Sequence, residues 1–153
     1  YLIERNVQTI GRLDQDTTGL LLLTDDGQYL HQLTHPKKHV LKYYQIHTTE
    51  ALSTDVIKEL QNGVELRNEQ GLFQALNFEE IGERHYRFAI SQGVYHQVKR
   101  MIVAVGNHVD ALHRDQIAEL KLEQLSIQSG EWCYLSESEY QSATVRAISE
   151  NNT

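Results

Sequence analysis

Residues 11–27 read Gly-Arg-Leu-Asp-Gln-Asp-Thr-Thr-Gly-Leu-Leu-Leu-Leu-Thr-Asp-Asp-Gly. A polar loop carrying one arginine (Arg12) and two carboxylates (Asp14 and Asp16) runs directly into an apolar stretch. A carboxylate on a loop held by a rigid strand is suitably placed for a nucleophile or a general base. The plainer reading is a turn in which Asp and Thr side chains satisfy backbone donors. A third reading is a Mg²⁺ site built from Asp14, Asp16, Asp25 and Asp26. The carboxylate pairs would then flank a strand of roughly 20 Å by its rise per residue, which argues against one shared site. From the residues alone these readings stay open.

Two other stretches carry side chains fit for chemistry. Lys42-Tyr43-Tyr44 joins a cation to two aromatic rings, and residues 93–101 (Gly-Val-Tyr-His-Gln-Val-Lys-Arg-Met) put Lys99 and Arg100 side by side. His35-Pro36-Lys37-Lys38-His39 is the densest basic cluster.

These groups need a scaffold, and the pattern supplies one. Residues 19–24 read as a short buried strand stopped by Asp25-Asp26-Gly27. Residues 28–34 suit a short helix ending before Pro36. Aromatic and β-branched residues make 42–49 a strand. Residues 53–61 predict a helix capped by Ser53 or Thr54, with Val56, Ile57 and Leu60 on one face. Residues 71–78 and 85–91 suit paired strands. Residues 95–105 predict the clearest helix, because Val98, Met101, Ile102 and Val105 form one apolar stripe. One or two strands are expected within 109–122 and a closing helix within 136–149. Strands and helices without strict alternation imply an α+β fold, a mixed and mostly antiparallel sheet with flanking helices.

Composition narrows the class. The chain has 153 residues, 40% hydrophobic and 23% charged, consistent with one globular domain spanning 1–153. The longest apolar run, Leu20 to Leu23, is far short of the roughly 20 residues of a membrane helix. Residues 1–11 lack the apolar core of a secretory leader. The one cysteine, Cys133, can form neither an intrachain disulfide nor a CxxC metal site. It is expected to be a small buried hydrophobe in a reduced, cytoplasmic setting. The first residue is Tyr1 rather than Met, and further residues upstream are expected. A net charge of −7 argues mildly against nucleic-acid binding, although overall charge is not local charge.

The run at 11–27 resembles the signature motif of pseudouridine synthases, GRLDxDTTGLLLLTxDG, at every fixed position. Lys42-Tyr43-Tyr44 resembles the family's KxY element, and residues 93–101 its third motif. Gly106-Asn107-His108-Val109 and Leu112-His113-Arg114 continue the likeness, which spans about residues 10–140 and is strongest toward the branch acting on small-subunit (16S) ribosomal RNA. The chain departs from the usual pattern at Leu41, Gln92 and Val94.

The resemblance implies the pseudouridine synthase fold and isomerisation of uridine in ribosomal RNA. It makes Asp14 the nucleophile, Tyr44 the ring that packs on the target base, and Lys99 the cation paired with Asp14. Arg12 would fill the gap left by an extruded base. Lys37, Lys38, Lys42, Arg100 and Arg114 would contact RNA. No metal or cofactor is implied, because the reaction has no redox step. The family's upstream Lys-Pro strand and small S4-like RNA-binding domain would lie outside this chain, making it a catalytic fragment. The partner is ribosomal RNA, free or in a partly assembled small subunit, and a monomer is expected. Two rivals remain: the same reaction on 23S RNA, and a non-catalytic RNA-binding or ribosome-assembly module. A metal-dependent phosphohydrolase using the aspartate pairs is a third.

Overall fold

Strand β4 (Lys42–Thr48) is the spine of the main sheet. Its inward residues Ile46 and Thr48 are buried and His47 between them is exposed, the period of two of a strand with one covered face. The computed structural model describes residues 7–35 and 40–144. In it β4 pairs antiparallel with β6 (His85–Ile90) on one side and with β7 (Val109–Ile117) on the other. Outside β6 lies β5 (Leu76–Gly82), antiparallel; outside β7 lies β2 (Thr17–Gly19), parallel. β8 (Leu120–Lys121) folds back on β7. A separate antiparallel pair joins β1 (Gln8–Ile10) to β3 (Leu22–Thr24). The sheet is therefore mixed and mostly antiparallel, and the fold is α+β.

Two helices cover one face of this sheet. In α2 (Thr54–Asn62) the Ser53 hydroxyl accepts from the Val56 amide, closing the expected cap, and Ile57 and Leu60 turn inward. In α3 (Gln97–Ala104) Val98, Met101 and Ile102 do the same. They pack with Ile46, Tyr86, Phe88, Ile90 and Leu112 of the sheet. Each such side chain, fully buried, stabilises the fold by roughly 1.5–3 kcal/mol. A second core gathers Ile10, Leu20, Leu22, Val40 and Leu120 beneath Tyr29 and Leu33 of α1 (Gly27–Thr34). Asp26 caps α1, and α4 (Glu137–Ser142) lays Tyr140 flat on Tyr29 with ring centroids 3.9 Å apart.

Four sequence expectations change. The strand expected at 19–24 is two strands in different sheets. Gly19 has φ 122°, and a Cβ there would lie 2.2 Å from the Arg114 carbonyl oxygen, so only glycine lets the chain leave β2 at this point. Beyond it Leu20 and Leu22 are buried but Leu21 and Leu23 are exposed, so the run is covered on one face only. The strand expected at 71–78 begins at Leu76, with only an isolated bridge from Phe73 to Val64 before it. The closing helix ends at Ser142, and residues 145–149 of the expected helix lie outside the described residues. Cys133 is exposed rather than buried: it sits in an irregular surface segment between Trp132 and Tyr134, both also exposed.

Gly19→Ala should destabilise the protein by about 3 kcal/mol or more, because the clash is with backbone that cannot rotate away. Urea unfolding checks this, and a loss below about 1 kcal/mol would show that β2 and β7 are not held this closely.

Candidate active site around Asp14

The loop between β1 and β2 turns back at Asp14, whose carbonyl accepts from the Thr17 amide at 2.9 Å. The carboxylate of Asp14 is 28% exposed. Two basic side chains reach it from the start of α3. Lys99 Nζ lies 3.6 Å from Oδ2 and His96 Nε2 lies 3.4 Å from Oδ1. The end of α3 nearest Asp14 is its N-terminal end, where the helix dipole also favours negative charge. Lys99 reaches Asp14 from the first turn of α3, whose Val98, Met101 and Ile102 are held in the core, and His96 reaches it from the residue before the helix.

Lys99 is shared. Its ammonium donates to Asp16 Oδ1 at 2.5 Å, closer than its approach to Asp14. That hydrogen bond is the main reason Asp16 sits below the usual carboxylate range and Lys99 above the usual lysine range, with Asp14 adding to the rise in Lys99. Asp16 is 75% exposed, so water screens the pair and little energy holds Lys99 there. The expected Lys99–Asp14 pair is present, but with a competitor.

The sequence reading missed His96. It precedes α3 in a left-handed conformation (φ 49°, ψ 39°), and the Tyr95 ring stacks on it at 3.7 Å. The helix expected from residue 95 therefore starts at Gln97. The left-handed turn aims the imidazole at Asp14 instead of letting it follow the helix. A residue in that conformation beside a candidate nucleophile is the kind of backbone outlier that active sites keep, but no sequence pattern announces it.

The two tyrosines of β4 part company. Tyr43 faces the far side of the sheet, where the Asn77 amide donates to its hydroxyl at 2.9 Å and Arg87 lies 4.5 Å over its ring. Tyr44 faces the helices and packs half-buried against the core beside Phe88 and Arg114. The side of the sheet holding Tyr44 is the side that α3 covers. The far face carries the polar cluster Arg87, Asp115, Gln45 and Gln116, at the floor of an open groove of about 480 Å³ that does not include Asp14.

The remaining cations divide sharply. Arg12 is exposed on the Asp14 loop. Arg100 is engaged within the chain, with Glu69 at 3.0 Å and with the carbonyls of Tyr95 and Arg67. Lys37 and Lys38 lie outside the described residues. Arg114 is 3% exposed and donates through Nε to the Leu20 carbonyl. Lys42 is partly buried, and burial first, then the Arg114 charge, pushes it down to about 8. Asp26 serves as a helix cap and accepts from Tyr140, and among the described residues no group of three or more His, Cys, Asp or Glu side chains is placed to hold a metal.

A family model described as RNA pseudouridylate synthase matches residues 1–104. The chain belongs to this family. It is 43% identical over 141 residues to the ribosomal small subunit pseudouridine synthase A of Vibrio cholerae, and 44% identical over 129 residues to that of Escherichia coli. These matches take in 90% and 84% of this chain but 61% and 55% of the relatives, so the chain spans little more than half their length. A solved pseudouridylate synthase superposes with a TM-score of 0.86 at 38% identity, covering 94% of this chain and 62% of that one. A chain of an H/ACA RNP bound to a substrate RNA, at 20% identity and a TM-score of 0.59, shares the fold.

Lys42 supplies a stability test. Its folded value of about 8 lies below its ordinary 10.5, so the folded state disfavours the charged form. The penalty is fully present below pH 8 and fades as pH rises toward 10.5. Lys42→Met should therefore raise stability at pH 7 by on the order of 1–3 kcal/mol and flatten the rise above pH 8. Urea unfolding at pH 7 and above pH 9 measures both, and a destabilised variant with an unchanged pH slope would refute it.

Proposed function

We propose that this pseudouridine synthase isomerises a uridine in 16S ribosomal RNA with Asp14 as the nucleophile, acting in the cytoplasm without metal or cofactor. The observation that carries this reading is the carboxylate of Asp14, at the matched position of the family motif, with Lys99 of α3 and His96 just before that helix within 3.6 Å. The names of the relatives support the small subunit as the target.

Pseudouridylation breaks the N1–C1′ bond of uridine, turns the uracil, and forms a C5–C1′ bond. C5 then loses its proton and N1 gains one, so atoms balance with no oxidant. The protein must promote cleavage and keep the free base in place. Asp14 supplies the carboxylate, by attack or by proton removal. Lys99 supplies its counter-charge, and the loose hold of Asp16 lets that ammonium turn fully to Asp14 when RNA covers the loop. His96 keeps the other carboxylate oxygen aimed.

A base inside folded RNA must leave its stack to reach Asp14, at a cost of a few kcal/mol. Tyr44 offers a ring for the extruded uracil, worth about 1–3 kcal/mol by stacking. Arg12, exposed two residues before Asp14, can enter the gap left behind. With few unpaired cations among the described residues and a net charge of −7, this chain alone should bind RNA weakly, as a monomer.

Tritium release from 5-³H-uridine-labelled RNA tests the reading, since C5 loses its hydrogen only if the reaction occurs. Labelled 16S RNA, free and in partly assembled particles, should release tritium with the natural full-length protein. Asp14→Asn should lower the rate by about 10³-fold or more, and Lys99→Met by about 10²-fold through misplacement of the carboxylate. Release from 23S RNA alone would keep the reaction and move the target. No release from any RNA, with binding intact, would favour a non-catalytic module.

A further inference from the structure

Two cations beside the candidate active site have no anion among the described residues. Arg114 is 3% exposed, its Nε is taken by the Leu20 carbonyl at 2.9 Å, and its Nη2 is buried without a partner. The Thr17 hydroxyl is buried and unpartnered as well. Lys42 feels burial and the Arg114 charge, with no carboxylate offsetting either. Its ammonium is not among the buried, unpartnered atoms and so keeps contact with solvent. Desolvated like charges on neighbouring strands oppose folding unless something negative joins them.

Their place in the fold points to what that is. Arg114 pairs in register with Tyr44 on one side and with Gly19 on the other. Leu20 clamps it, donating its amide to the Arg114 carbonyl at 2.8 Å while accepting from the guanidinium. The Asp14 turn ends at Thr17, where β2 begins. Lys42 lies on the Tyr44 face two residues along β4, about 7 Å away by strand rise. Both cations thus border the ring proposed to receive the base, and a nucleotide turned toward Asp14 brings a phosphodiester on each side. An ammonium at the surface with an unpaired guanidinium charge behind it is suited to phosphate. Arg100 is not available for this role, being held by Glu69.

We infer that Lys42 and Arg114 form an anion site that takes one phosphodiester of the RNA beside the target uridine, with Lys42 as the accessible contact and Arg114 behind it. This rests on the isomerase reading for the identity of the RNA, not for the existence of the site. Binding of that phosphate removes the strain of the two unpaired cations, so part of the instability of the free protein becomes selectivity for a correctly seated nucleotide.

The test couples Lys42 to individual phosphates. Oligonucleotides spanning the modified site carry one uncharged methylphosphonate at each linkage in turn. Affinities are measured with the Asp14→Asn protein, with and without Lys42→Met. One linkage next to the target should cost about tenfold in affinity, and that cost should vanish in Lys42→Met. Separately, Lys42 should react readily with an amine-directed reagent at pH 8.5 and be protected by the all-phosphodiester RNA but not by the RNA neutralised at that linkage, as read by mass spectrometry. Equal penalties with and without Lys42, or no protection, would overturn the site. So would Lys42 already unreactive in the full-length protein without RNA, which would assign the anion to the polypeptide. Tritium release from the unmodified oligonucleotide is scored apart: coupling and protection without release would keep the site and remove the isomerase reading.

Discussion

Gly19 lies against the backbone of Arg114 with no space for a Cβ, and the neighbouring Leu20 trades hydrogen bonds with Arg114 through both its amide and its carbonyl. This close approach fastens β2 to β7 in parallel. Because the Asp14 turn ends where β2 begins, the same contact sets how far the candidate nucleophile stands from the sheet. It also divides the chain between its two cores, since the residues after Gly19 leave the main sheet and join β1, α1 and α4. Asp14, Tyr44 and α3 owe their relative placement to strands packed around this point.

Around that point the chain distributes its charge unevenly. The net charge is −7, yet Lys99 stands beside Asp14, and Lys42 and Arg114 stand beside Tyr44. Acidic groups elsewhere neutralise cations with structural work: Glu69 holds Arg100, and Asp115 holds Arg87 on the far face. Lys99 is shared between Asp14 and the exposed Asp16, and Lys42 and Arg114 have no anionic partner among the described residues. An overall acidic chain can therefore present a local positive field to a polyanion, with the rest of its surface remaining repulsive.

Much of the architecture was legible because it follows from local rules. The Ser53 cap, the apolar stripe of Val98, Met101 and Ile102, and the aromatic and β-branched run of β4 each depend on residues close in sequence. What misread did so for a common reason. The run Leu20 to Leu23 looks like one buried strand, but its break comes from Gly19 meeting Arg114, a residue 95 positions away in the chain. Cys133 has the composition of a buried residue and sits in a segment that no element covers.

The candidate site divides the same way. The sequence by itself determined the family, the position of Asp14 and the pairing of a basic residue with it, because a long motif of fixed spacing carries that information locally. By resemblance it also gave the stacking role to Tyr44. Only the tertiary structure decided that Tyr43 turns away to Arg87 and Asn77, that Lys99 is shared with Asp16, and that His96 points at Asp14 from a left-handed turn. Only it showed Arg114 as a buried cation beside Lys42 rather than a member of a surface patch. Burial, charge pairing and the direction of a side chain are set by which strands and helices meet, and that depends on contacts between residues far apart in sequence.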